Sequence, residues 1–178
     1  MRTAKLALML GLFAICAGAT SIIPMSVEEL TQKAENIVEA RATDSRSEWN
    51  PQHTLIYTYT RFAVWRTLKG SAAQIITVKQ LGGSAGGYTQ QISGVREFQA
   101  GEETLLFLRG SVARDGTHVI VGLMQGHFNV FRDAAGETMV SNGIPQGTRP
   151  PRGEAAEIHS TAIPLASMEQ RIARAISK

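Results

Sequence analysis

Cysteine is all but missing from this chain, and the single one, Cys16, sits inside an N-terminal apolar run. One thiol cannot form an intramolecular disulfide or a Cys-based zinc site, and loss of the N-terminal run would remove any cysteine nucleophile as well. Long apolar stretches are equally scarce. The run from Leu6 to Cys16 is too short to span a bilayer comfortably, and no later segment is long and apolar enough to do so. A strong charge of one sign is also lacking. The formal net charge is +3, and the basic residues do not gather into the stripe that phosphate backbones require, which excludes nucleic acid as an expected partner. Metal-ligand spacing is missing too. His53, His118, His127 and His159 contain no H-E-x-x-H and no i, i+4 pair, so no metal and no cofactor is expected, and the strand histidines read as half-buried, hydrogen-bonded residues.

What is present begins with a leader. Arg2 and Lys5, the apolar stretch to Cys16, and Ala17-Gly18-Ala19 follow the three-region pattern of a secretory signal, with cleavage expected after Ala19. Ile15 stands before Cys16 where lipidation calls for a small residue, so a soluble secreted or periplasmic product is expected rather than a lipoprotein. Its 159 residues suffice for one domain with a real core, and the balance of 16 basic to 15 acidic residues makes it nearly neutral.

Ser26 followed by Glu29 is a capping box that predicts a helix over Val27 to Ala34. The pattern then changes to period two: Val38, Ala40 and Ala42 alternate with Glu39 and Arg41, a strand with one face inward. Asn50-Pro51 marks a turn. The β-compatible run Leu55 to Leu68 places Phe62, Val64 and Leu68 on one face and Tyr57, Tyr59, Ala63 and Trp65 on the other. It predicts either one strongly bent strand or two in succession. Further strands are expected at Ile75 to Leu81, Tyr88 to Ile92, Thr104 to Leu108 (buried on both faces), His118 to Leu123, Phe128 to Phe131 and Glu137 to Val140, with tight hairpin turns at Asp115-Gly116 and Ala135-Gly136. Pro164 opens a last helix whose Leu165, Met168, Ile172 and Ile176 form an apolar stripe expected to dock on the barrel. The resulting division is a leader at 1–19, a β-barrel domain with its N-terminal helix at 20–141, a loop-rich linker at 142–163 and a C-terminal helix at 164–178. The fold class is all-β: a single antiparallel, OB-like or partly closed barrel with flanking helices.

Taken in order, Trp49, Ile56-Tyr57-Thr58, Val64, Leu68-Lys69-Gly70, Gly82-Gly83, Phe98, Gly101-Glu102-Glu103, Leu105-Leu106-Phe107-Leu108 and Gln125-Gly126-His127-Phe128 resemble a family of secreted, uncharacterised bacterial proteins. More distantly, the Leu68-Lys69-Gly70 turn and the later series Phe98, Gly101, Leu105, Phe107, Leu108 resemble netrin and tissue-inhibitor-of-metalloprotease modules, which implies a small OB-type barrel. Those inhibitors act through an N-terminal cysteine that chelates the protease metal. Here the expected start is Thr20-Ser21-Ile22, so only the barrel carries over, and an inhibitor role is an analogy of fold.

Gly82-Gly83-Ser84-Ala85-Gly86 matches the G-x-S-x-G pattern of a nucleophile elbow, but Gly87-Tyr88-Thr89-Gln90 behind it does not read as a helix. Gly82 and Gly87 also have phosphate-loop spacing, yet Tyr88 stands where the lysine should be. No catalytic residue is assigned. The glycine-rich segment reads as a barrel rim that a ligand can approach closely, and the candidate contacts are Gly82, Gly83, Ser84, Gly86, Gly87, Tyr88, Gln90 and Arg96. Trp49 and Trp65 read as core aromatics rather than as a recognition platform. The expected function is an exported binding or interaction module for a protein or small-molecule ligand. The alternatives are a small serine hydrolase using Ser84, and an inhibitor-like or accessory domain.

Overall fold

The capping box forms as the sequence requires. Ser26 Oγ accepts from the Glu29 N–H at 3.2 Å, and Glu29 Oε2 accepts from the Ser26 N–H at 2.8 Å, opening helix α1 over Val27–Lys33. At its other end the Lys69 ammonium donates to the Thr31 and Ala34 carbonyls at 2.7 Å each, placing a cation on carbonyls that the helix leaves unpaired. These details come from a computed structural model that describes residues 24–110, 115–142 and 162–177. The expected leader with Cys16, and most of the expected linker, lie outside the described residues.

Strand β1 (Asn36–Trp49) and strand β2 (Ile56–Lys69) each run for 14 residues and pair antiparallel along their length. The run after Asn50 is therefore one strand. Register shifts after Ile37, Glu39 and Ala42 supply the bend that lets it serve a closed sheet. Asn50 Oδ1 fixes the turn by accepting from the Thr54 and Leu55 amides. Strand β3 (Ile75–Leu81) follows, then a small hairpin of β4 (Gly83–Ala85) and β5 (Tyr88–Gln90), then β6 (Glu103–Gly110), β7 (His118–Ile120), β8 (His127–Arg132), β9 (Thr138–Ser141), β10 (Ile163–Pro164) and helix α2 (Leu165–Ile176).

The main sheet closes on itself through β1, β2, β3, β7, β6 and back to β1. Among the described residues only the β3–β7 contact is parallel, with Val78 opposite His118. Five strands in that order make an OB-like ring, and β8, β9 and β10 extend the sheet from β6. No helix among the described residues is long and apolar enough to cross a membrane.

The ring has an apolar core on each side of its β1–β6 seam. Val38, Ala40, Phe62, Val78, Leu106 and Leu108 fill the barrel interior, while Ile37, Leu105, Phe107 and Phe128 pack beneath Val27 and Leu30 of α1 and Met168 and Ile172 of α2. This explains the unbroken apolar run in β6, whose alternate residues face two different cores. A bidentate Arg171–Glu28 pair, with N–O distances of 3.0 and 2.9 Å, ties the two helices together.

Several expectations need correction. The strand expected over His118 to Leu123 stops at Ile120, because Gly122 and Leu123 adopt positive φ of 65° and 62° in a turn. Asp115-Gly116 is not a two-residue hairpin turn, since β6 ends at Gly110 and β7 begins at His118. Asp115 Oδ1 instead accepts from the Thr117 N–H within that connection. In α2 the buried stripe is Met168, Ile172 and Ala175, and Ile176, in the last turn, is exposed to solvent. Glu39, expected to point outward to water, is only 4 % exposed because Trp65 and Arg66 fold over it. Trp65 is not a core residue: it is 49 % exposed.

Candidate functional site

The barrel interior changes character along its length. Inward positions on β2 read Ile56, Thr58, Thr60, Phe62, and those on β3 read Ile76, Val78, Gln80, so a polar band of Thr58, Thr60 and Gln80 interrupts the apolar wall on the side of Ile56. Facing hydroxyls on β1 meet that band: Ser45 pairs with Thr60 at 2.7 Å and Ser47 with Thr58 at 2.8 Å, while the Thr58 hydroxyl also lies 2.7 Å from the Gly82 carbonyl. The buried hydroxyls of Thr58 and Thr60 cost little because each has a partner. This ladder of hydroxyl pairs marks the end of the barrel that is built for polar contact.

At this mouth lies a cleft of about 470 Å³ between the end of β3, the β4–β5 hairpin and the segment that runs from Gln91 to Gln99. Of the residues singled out by sequence, Gly82, Gly83, Ser84, Gln90 and Arg96 line it. Gly86, Gly87 and Tyr88 do not. They form the far side of the hairpin, where the Tyr88 ring meets the Trp49 ring edge-on at 5.7 Å and Trp49 in turn stacks on His53 at 5.9 Å.

The glycines here have a strict reason. Gly83 has φ of 127°, and a Cβ on it would lie 2.2 Å from Thr58 Oγ1 and 2.4 Å from Ser47 Oγ, so the hairpin can seat on the hydroxyl ladder only without a side chain at this point. Ser84 turns away from the ladder and its Oγ pairs with Thr89 Oγ1 at 2.8 Å across the hairpin. Gln90 Oε1 accepts from the Ile56 N–H at 2.9 Å, fastening the hairpin to the start of β2.

Gln80 lines the cleft and is 9 % exposed. Its Nε2 reaches the Arg96 carbonyl at 3.4 Å and the Met124 sulfur at 3.1 Å, but its Oε1 is buried with no hydrogen-bond partner. Leaving a buried amide oxygen unpaired costs about 1–3 kcal/mol, a marked polar cost in a residue that lines the cleft. Neither Thr58 nor Gln80 stands out in the sequence, because each is an ordinary strand residue at an inward position.

Beside the cleft, Arg96 holds a charged cluster together. Its guanidinium contacts Glu102, His127 Nε2 at 3.2 Å and Asn129 Oδ1 at 2.6 Å. Burial works to raise the Glu102 carboxyl, but His127, the Arg96 guanidinium and the Gln99 N–H outweigh it and bring its pKa down to about 2. Burial depresses the His127 imidazole below its ordinary value; the Glu102 carboxylate opposes this and the Arg96 cation adds to it. The His127 ring also packs edge-on against Phe98 with centroids 4.9 Å apart. The cluster therefore pins the segment after the hairpin to β8 with Glu102 ionised and His127 neutral near pH 7.

Comparison with known protein families and with curated proteins gives no match to this chain.

Proposed function

We propose that the protein is an exported binding module whose ligand enters the barrel mouth and gives an N–H or O–H hydrogen bond to Gln80 Oε1. The unpaired, buried amide oxygen of Gln80, a residue that lines the cleft, carries this reading, and three further features support it. The cleft has the size of a small-ligand site, its lining is dominated by neutral hydroxyl and amide groups, and the Arg96 cluster holds one of its walls in place. Such a lining suits an uncharged ligand rich in donors, such as a short peptide or a small polyol.

Binding can be tested by titrating isotopically labelled protein with a panel of neutral dipeptide amides and small polyols. Saturable shifts centred on the Gln80 side-chain amide, Ser84 and Thr89 are expected from at least one member. Absence of any saturable shift at millimolar concentration, or shifts confined to residues away from the mouth, would overturn the reading.

A further inference from the structure

A second concavity, of about 500 Å³, lies on the outer face of the barrel beside α2. It is floored by Glu39 and Arg41 of β1 and Ala63 of β2, and walled by Trp65 on one side and Phe131 of β8 on the other. The two aromatic residues are 49 % and 42 % exposed. Large exposed aromatics on a small domain are a departure that asks for a reason, and two of them facing one concavity is a stronger departure.

Trp65 is also held in place. Its Nε1–H donates at 3.0 Å to Glu39 Oε2, and Glu39 Oε1 accepts from Arg66, which reaches on to Glu169 of α2 at 2.6 Å. A carboxylate is buried here, at a cost in desolvation, and one result is a tryptophan whose orientation is fixed while its face stays open to solvent. A rigid open aromatic face is a stacking platform.

The charges around the platform indicate which ligand it suits. Glu39 is matched by Arg66, Arg66 also by Glu169, and Arg41 by Glu103, while Arg132 donates to the Gly136 carbonyl at 3.2 Å. Three arginines, Arg41, Arg66 and Arg132, thus stand against three carboxylates, Glu39, Glu103 and Glu169, and the formal charges around the groove cancel, which favours neither an anion nor an organic cation. What remains are spare donors on Arg41 and Arg132 and spare lone pairs on Glu103, set around apolar ring faces. We infer that this groove binds a neutral saccharide, one C–H face of a sugar ring lying on Trp65 with Phe131 beside it and its hydroxyls meeting Arg41, Glu103 and Arg132. This site is separate from the barrel mouth.

Trp49→Phe leaves Trp65 as the one tryptophan, so its emission reports the groove directly. That protein is titrated with cellobiose, maltose and diacetylchitobiose as neutral probes, and with tetramethylammonium and glucuronate as charged controls. A saturable change in emission with at least one neutral sugar is expected, weakened about tenfold or more by Phe131→Ala and left unchanged by Gln80→Met. Phe131→Leu keeps apolar bulk while losing the ring, and should weaken binding similarly in a protein whose circular dichroism is unaltered. The inference is overturned if no neutral sugar produces a saturable change, if only a charged control does, or if both Phe131 variants bind the sugar as tightly as before. Loss of binding in Gln80→Met would place the sugar at the mouth instead, and would equally overturn it.

Discussion

Glu102 Oε1 lies 3.6 Å from Nε2 of the buried His127, and Arg96 contacts both. The unfolded chain binds a proton at this histidine more readily than the folded one, because the folded pKa is depressed below the ordinary 6.5. Stability should therefore fall as pH drops below 6.5, and fall again as pH moves from about 4.5 toward about 2, where Glu102 takes up its proton. Thermal midpoints across this range should show both declines. His127→Asn should flatten the upper one and Glu102→Gln the lower one, whereas an unchanged pH profile in both variants would separate the cluster from acid sensitivity.

Gln80→Met should separate binding from stability. The substitution keeps an unbranched side chain of similar length and removes the unpaired oxygen along with two Nε2 contacts, one of them long at 3.4 Å, so urea denaturation should show no loss and a gain of up to about 1 kcal/mol. The same variant should lose any ligand of the mouth. A variant that is less stable than the parent would show that the amide is already satisfied without a ligand.

Two glycines of the rim should respond very differently to alanine. At Gly83 the new Cβ meets two hydroxyls within 2.4 Å as well as an unfavourable φ, and a loss of more than about 2 kcal/mol is expected. At Gly87 the φ of 81° is also unfavourable, but nothing lies within 4 Å of the new atom, so the cost should stay near 1 kcal/mol. Equal losses in denaturant midpoint would mean that steric contact at the ladder does not matter.

The last helix offers a matched pair. Ile172 is fully buried between α2, α1 and the sheet, and Ile172→Asp should cost on the order of 2–4 kcal/mol. Ile176 lies on the same helix but faces solvent, and Ile176→Asp should change stability by less than about 0.5 kcal/mol. Similar urea midpoints for the two variants would undo the docking described for α2.

Features set by neighbours in sequence were legible before the fold was known. Ser26 and Glu29 announce α1, the alternation of Val38, Ala40 and Ala42 announces the start of β1, and the unbroken apolar run of β6 announces burial on both faces. The second half of β1 gave no such signal. Thr43 to Glu48 are all polar, because Ser45 and Ser47 meet the Thr60 and Thr58 hydroxyls near the barrel mouth and not an apolar core. The same cause hid Thr58 and Gln80 from the reading of the site, while the glycine-rich rim was visible through its composition. Glu39 and Trp65 were misplaced together, since each owes its environment to the other across two strands and no local pattern encodes that pairing.

The seam between β1 and β6 has a bearing on how the chain reaches its native state. Ile37 pairs with Phe107, a partner about 70 residues further along, whereas β1 and β2 meet through the short turn at Asn50. The β1–β2 hairpin can therefore form early, and ring closure must wait until β6 is available. During that interval the N-terminal half of β1 is an unpaired edge that carries Ile37, Val38 and Ala40, a template for pairing with other chains. Ring closure, and not hairpin formation, should then govern the refolding rate, and substitutions in β6 should lengthen the interval in which refolding chains can aggregate.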